Sequence, residues 1–342
     1  MIFMVTCRRK YKSGYGDEEQ HQYGYDYLYE YNGKQRGADE FLKKGKLGFK
    51  TALLTELNRL KNEVGINTPK VGIYLHGYNN DWQDSIDELH DLHKHLGKAM
   101  NDGKPKKYDP VLVGFSWPSS GETIHYLADR EEARDSVPAF TRFLKDISDL
   151  LTENERKHQC FSTSFCIAHS MGNYLLRKGM EYLSDHLGTP VGRKMFDETV
   201  MLAPDLASRD IEDDGKGQYI AEFSRRVHVY YSRHDRALKA SSTKRFGGHR
   251  LGRHGADDYT DIPSNVVLID AKEYANSAST DGIKDREGNQ VSVHSSHRYH
   301  PDILADVVQV LSSYDRDVID KRESVELPDG GFSQPKNHFR LL

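Results

Sequence analysis

Cysteine is scarce in this chain of 342 residues: there are three, Cys7, Cys160 and Cys166. Their number is odd and their spacing fits no metal motif, which excludes a disulfide-stapled scaffold and points to a reducing compartment. Long apolar runs are also missing. The start, MIFMV, covers five residues before Cys7, Arg8, Arg9 and Lys10, too short and in the wrong charge order for a signal peptide or a membrane span. Neither sign of charge dominates: the net charge is −4 and the pI about 6.5, so no global field favours nucleic acid. No internal repeat and no Gly/Ser/Pro-rich linker divides the chain. These absences lead to the expectation of a cytoplasmic protein with no transmembrane segment and no nucleic-acid partner. Its 37% hydrophobic and 29% charged residues imply long surface loops around an ordinary core.

What is present is an alternation of short apolar runs and amphipathic segments. Strands are predicted at 1–7, 71–75, 111–116, 198–203, 226–231 and 265–270, and helices at 48–63, 82–96, 138–153 and 301–314. The strand interiors are apolar without a period of two, the pattern of strands buried on both faces. The fold class is therefore α/β: a mainly parallel, doubly wound sheet with helices on both faces. One domain is predicted over 1–314, with N-terminal strands and a Tyr-rich segment in 1–47, followed by a polar tail over 315–342 with little regular structure. Tyr23, Tyr25, Tyr27, Tyr29 and Tyr31 alternate as on one face of a strand, which reads as a half-buried edge strand rather than as a ligand platform. The stretch 239–254 is basic and Gly-rich and reads as a solvated loop.

The chemistry concentrates in 161–180. A run ending at Cys166 and Ile167 turns through Ala168, His169, Ser170, Met171 and Gly172, then continues with Leu175, Leu176 and Met180 at helical spacing. A strand, a tight turn with serine at its apex and a helix make a nucleophile elbow, in which Ala168 and Gly172 are the small residues that let the two backbones approach. A serine hydroxyl needs a base, and the base needs an orienting acid. In such a sheet the order is serine, acid, histidine. Asp235, after the second strand beyond the elbow, is the predicted acid; Asp205, after the first, is the alternative. His294, His297 and His300 follow the last predicted strand, and His297 is the predicted base. Their H-x-x-H-x-x-H spacing, like the pair His90 and His93, lacks the further ligands of a metal site, so neither metal nor cofactor is expected. The oxyanion donors are predicted to be the backbone N–H groups of Met171 and of Tyr78, in the loop after His76-Gly77.

Taken together, HGYNN (76–80), FSWPSSG (115–121), AHSMGN (168–173), LAPD (202–205), YYSRHDRAL (230–238), RLGRHG (250–255) and HRY (297–299) resemble, in order, the bacterial alpha/beta-hydrolase family catalogued as domain of unknown function nine hundred. CRRK (7–10) is similar to its N-terminal strand end. The resemblance implies the alpha/beta-hydrolase fold and a Ser–Asp–His triad. The family's Gly-His-Ser-Tyr pattern aligns on Ser296 to Tyr299 and favours His297; its Ser-Asn-Asp-Arg-Ala aligns on Ser232 to Ala237 and favours Asp235. Many members look exported or lipid-anchored, and this chain shows no such leader. The expected activity is hydrolysis of a carboxylic ester through an acyl-enzyme. The substrate is a small-molecule or lipid acyl ester such as a lysophospholipid, with the 239–254 loop toward its head group. The alternatives are an amidase or peptidase using the same triad, and a non-catalytic interaction module on the same scaffold.

Overall fold

The computed structural model describes residues 2–12, 14–29, 45–105, 107–119, 126–156, 164–188, 194–244, 248–327, 330–332 and 336–342. The chain forms two compact units, Met1–Cys166 and Ile167–Leu342.

The first unit contains, in chain order, β1 (Ile2–Thr6), β2 (Arg8–Tyr11), β3 (Gly14–Glu19), β4 (Asp26–Tyr29), α1 (Gly45–Arg59), β5 (Val71–Leu75), α2 (Trp82–Met100), β6 (Val111–Ser116), α3 (Tyr126–Asp135) and α4 (Val137–Arg156). Its main strands lie in the order β5-β6-β1-β4. β5, β6 and β1 are parallel, with Ile73 opposite Val113 and Met4 opposite Gly114. β4 closes the edge antiparallel, Val5 opposite Tyr27, and β2 and β3 form a separate antiparallel hairpin. The continuous apolar character of VGIYL and VLVGFS is explained by full burial along both strands. α2 starts at a capping box between Asp81 and Asp84 and buries Leu89, Leu92 and Leu96. Gly114 leaves the room for this helix: a Cβ there would stand 2.7 Å from Leu89 Cδ2.

The tyrosine run is not one strand. Tyr23 has φ +54° and is exposed, so the chain turns there and β4 begins only at Asp26. Tyr31 lies outside the described residues. The hydroxyls of Tyr25 and Tyr27 both donate to Asp146 on α4, at 2.6 and 2.5 Å, so they anchor an edge strand.

The second unit takes up the chain inside β7 (Ser164–His169) and continues with α5 (Gly172–Leu187), β8 (Phe196–Leu202), α6 (Gln218–Phe223), β9 (Ser224–Tyr231), α7 (Arg236–Lys244), α8 (Leu251–His254), β10 (Val266–Asp270), α9 (Val293–Ser296), α10 (Pro301–Leu311), β11 (Arg322–Ser324) and β12 (His338–Leu341). Strand order is β11-β12-β10-β9-β8-β7; β8, β9, β10 and β12 are parallel and β11 is antiparallel. The polar tail thus supplies two strands. Phe339 and Leu341 are buried, an apolar pair that the surrounding charge conceals in the sequence. Alternate residues of β9 meet buried polar partners. Arg226 and His228 bond Glu198 (2.7 and 3.1 Å), and the Tyr230 hydroxyl bonds Asp306. Asp306 is also held by both Nε and Nη2 of Arg322, at 2.7 and 2.6 Å. A bidentate guanidinium–carboxylate pair of this kind fixes the tail against α10. Among the described residues no helix is long and apolar enough to cross a membrane.

Candidate active site

Ser170 sits at the apex between β7 and α5 with φ +52°, a left-handed backbone that costs a non-glycine residue free energy and persists only when the surroundings enforce it. The enforcement is visible. The Ser170 N–H donates to Leu202 O at the end of β8 (3.0 Å), and its carbonyl accepts from the N–H groups of Asn173 and Asp205, each at 3.1 Å. The Asn173 side chain, wholly buried, donates through Nδ2 to Ala168 O (2.9 Å) and Ser170 O (3.2 Å). The turn is thus tied to the strand before it, the helix after it and the loop after β8.

Asp235 follows β9 and is fully buried. Its two oxygens have separate tasks. Oδ1 accepts from Leu238 N at 2.9 Å, capping the first turn of α7. Oδ2 faces His294 Nδ1 at 2.6 Å. Burial works to raise the Asp235 pKa, but the facing imidazole and the Leu238 amide outweigh it and hold the carboxyl below the ordinary aspartate value. For His294, burial pulls the pKa down while the Asp235 charge and hydrogen bond push it up, and the net is upward. His169, next to Ser170, has Nε2 3.2 Å from His294 O, and the two rings are 4.9 Å apart, so His294 lies beside the elbow.

The imidazole on Asp235 is therefore that of His294, where His297 was expected. His297 is completely buried. Its Nδ1 turns to His294 O at 3.4 Å, and its Nε2 has no hydrogen-bond partner. Burial keeps it neutral, with a pKa pushed down to about 4. His294 lies in the short helix α9 and His297 caps its end; the His294 ring meets the carboxylate, while the His297 ring turns back to the His294 carbonyl. His300 caps α10 by accepting from Asp302 N. No group of three or more His, Cys, Asp or Glu placed to hold a metal occurs among the described residues.

Asp205, the alternative acid, accepts from Ser241 Oγ at 2.7 Å and pairs with Arg250 Nε at 3.5 Å. The stretch 239–254 is not a solvated loop where it is described; residues 245–247 lie outside the described residues. Arg250 is buried. Leu251 N and Gly252 N donate to Leu206 O and Pro204 O, and Ser232 N donates to Gly252 O. Arg253 Nη1 donates to the Asp235 carbonyl at 2.5 Å. Only glycine fits at 252, because a Cβ would lie 2.4 Å from Ala203 C. This segment joins the two carboxylate loops, a role hidden by its charge.

In the first unit, the loop after β5 carries His76-Gly77-Tyr78. His76 Nε2 accepts from Trp117 N at 3.2 Å, which puts the ring proton on Nδ1, 2.8 Å from Gly77 O. The His76 and Trp117 rings stack at 5.0 Å. Asn79 N donates to Asp129 Oδ2 (3.1 Å), and Asn80 N to Ser119 Oγ (3.2 Å). The wholly buried Arg8 donates to Asn80 O at 2.6 Å, Ser116 Oγ at 2.9 Å and Asp17 Oδ1 at 2.8 Å. CRRK at a strand end was the one sequence sign of this anchor. Ser120 and Gly121, at the end of FSWPSSG, lie outside the described residues.

A family model described as "Alpha/beta hydrolase of unknown function (DUF900)" matches residues 50–277. The uncharacterized protein alr1448 of Nostoc sp. is 33% identical over 158 residues, 38% of this chain and 39% of the relative, so the match spans well under half of either protein. Among solved structures, Aspergillus fumigatus lipase B is similar over 75% of this chain and 56% of its own, with TM-score 0.42 and 14% identity. A Pyrobaculum calidifontis esterase is similar over 72% and 76%, with TM-score 0.32 and 13% identity.

Proposed function

The chain belongs to the DUF900 alpha/beta hydrolases, and from that premise we propose that it is a serine hydrolase cleaving carboxylic esters through Ser170, His294 and Asp235. The contact that carries this reading is Asp235 Oδ2 on His294 Nδ1 at 2.6 Å. It fixes the tautomer with the proton on Nδ1 and leaves the Nε2 lone pair to accept a proton. Ser170 Oγ attacks the acyl carbonyl carbon and passes its proton to Nε2. The Asp235 carboxylate stabilises the imidazolium. Nε2 then returns the proton to the departing alkoxide as the C–O bond breaks, leaving an acyl-serine. Water repeats the sequence, giving up one proton to Nε2 while its oxygen takes the acyl group and Ser170 recovers its hydrogen. The negative oxygen of each tetrahedral intermediate is received by the Met171 N–H. All of this needs only the chain's own groups and water.

Within the 239–254 stretch Arg250 is buried beside Asp205 and Arg253 is engaged on the Asp235 carbonyl, so a head group would meet the exposed Lys239 and His249 rather than these two arginines. The substrate class is a carboxylic ester, a lipid or lysophospholipid ester included. Treatment with a fluorophosphonate probe tests the reading: wild type takes one label and Ser170→Ala takes none. A folded wild type that neither labels nor hydrolyses p-nitrophenyl esters of any chain length sinks it.

A further inference from the structure

The Ser170 carbonyl is one end of a peptide whose other end is the Met171 N–H. A trans peptide is planar, with its C=O and N–H pointing in opposite directions, so whatever grips the carbonyl also aims the N–H. Three donors grip it: Asn173 N and Asp205 N, both at 3.1 Å, and Asn173 Nδ2 at 3.2 Å. The first is the ordinary closure of the turn and is available to any residue at 173. The other two are specific. Asp205 is held by Ser241 and Arg250. The Asn173 amide also holds Ala168 O at 2.9 Å, so it spans the turn from the strand end to the apex. Its Oδ1 is buried without a hydrogen-bond partner. The amide therefore sits there for its two N–H donors, and a buried acceptor is left unsatisfied in consequence, a cost that a purely apolar filler would avoid.

We propose that Asn173 is a positioning residue: its side-chain amide locks the Ser170–Met171 peptide so that the Met171 N–H points at the oxygen that becomes negative. This rests on the serine-hydrolase reading above. An oxyanion donor acts only in the transition state, so loosening it lowers kcat and leaves substrate binding alone.

The test uses the full chain and a p-nitrophenyl ester, with the concentration of competent serine counted by fluorophosphonate labelling. Asn173→Ala is expected to lose about 10²-fold in kcat per labelled site, with KM within about twofold. Its affinity for an alkyl trifluoromethyl ketone, which forms a tetrahedral adduct, should fall in parallel with kcat/KM. Asn173→Ser, which retains one hydroxyl donor, should recover part of the loss; if Asn173→Ala does not fold, Asn173→Ser is read alone and should lose about tenfold. Unchanged kcat per labelled site, or a loss confined to KM or to thermal stability, overturns the positioning role and leaves the triad standing. A wild type without label or ester hydrolysis overturns both.

Discussion

His294 Nδ1 lies 2.6 Å from Asp235 Oδ2, while the other oxygen of the same carboxylate caps α7 through Leu238 N. One residue thus couples a helix start to an imidazole, and the two tasks separate by mutation. Asp235→Asn keeps a good capping group but removes the charge that fixes the tautomer. It should fold with near-normal thermal stability and lose about 10⁴-fold in kcat. His294→Ala should lose as much, whereas His297→Gln should retain activity within about tenfold. Asp205→Asn should cost far less than Asp235→Asn. Ester hydrolysis rates of the purified variants decide the matter, and the reverse ranking of His294 and His297 would return the base to the later position.

The pH dependence of kcat/KM follows from the same pair. A general base works in its neutral form, so activity rises with pH through the His294 pKa. Burial lowers that pKa, but the Asp235 charge and hydrogen bond raise it further, and Asp205 adds to the rise. The acidic limb should therefore have its midpoint above the ordinary histidine value of about 6.5. Asp235→Asn removes the largest upward influence and should shift the limb to lower pH. A wild-type midpoint well below 6.5 would be incompatible with a His294 base in this environment. Initial rates over pH 5–9 at low substrate measure it.

The turn at Ser170 and the mainly parallel strands were legible because each has a short-range signature, and the position of Asp235 after β9 followed from strand order. Ala168 and Gly172 bracket Ser170 in one turn, and VLVGFS reads as a buried strand by itself. Which histidine faces Asp235 was not legible. His294 lies in one short polar helix and His297 caps it, and what distinguishes them is which one faces Asp235, 59 residues earlier in the chain. The arginines failed for the opposite reason. Arg8, Arg250 and Arg322 carry full charge, which reads as surface, yet each is buried against partners that local sequence does not reveal. The same concealment hid the tail strands: Phe339 and Leu341 are buried on β12 beside Arg340, and pairing with β10 supplies the order that composition denied.

Buried neutral histidines make the fold sensitive to mild acid. His228 and His297 are fully buried and His338 nearly so, and burial pushes each pKa down to about 4. Unfolded, each returns to about 6.5. Between those values the unfolded chain binds more protons, so stability falls as pH drops through 6.5 and the loss levels off near 4, with a slope of up to about 1.4 kcal/mol per pH unit for each histidine. His294 acts in the opposite sense: its raised pKa contributes stability below 6.5 that is lost as pH rises through its folded value. His93 and His169, held low by burial, act with these three, and Glu19, raised to about 7 by burial, acts with His294; the lowered histidines outnumber the opposing groups, so the midpoint of urea unfolding should decline from pH 7 to pH 5. His338→Phe removes one of these protons at the cost of the hydrogen bond that Tyr231 Oη makes to Nε2 (2.9 Å). It should lower stability at pH 7 and also flatten the decline, so that the two proteins converge toward pH 5. Parallel curves for the two would show that His338 already takes up a proton in the folded state.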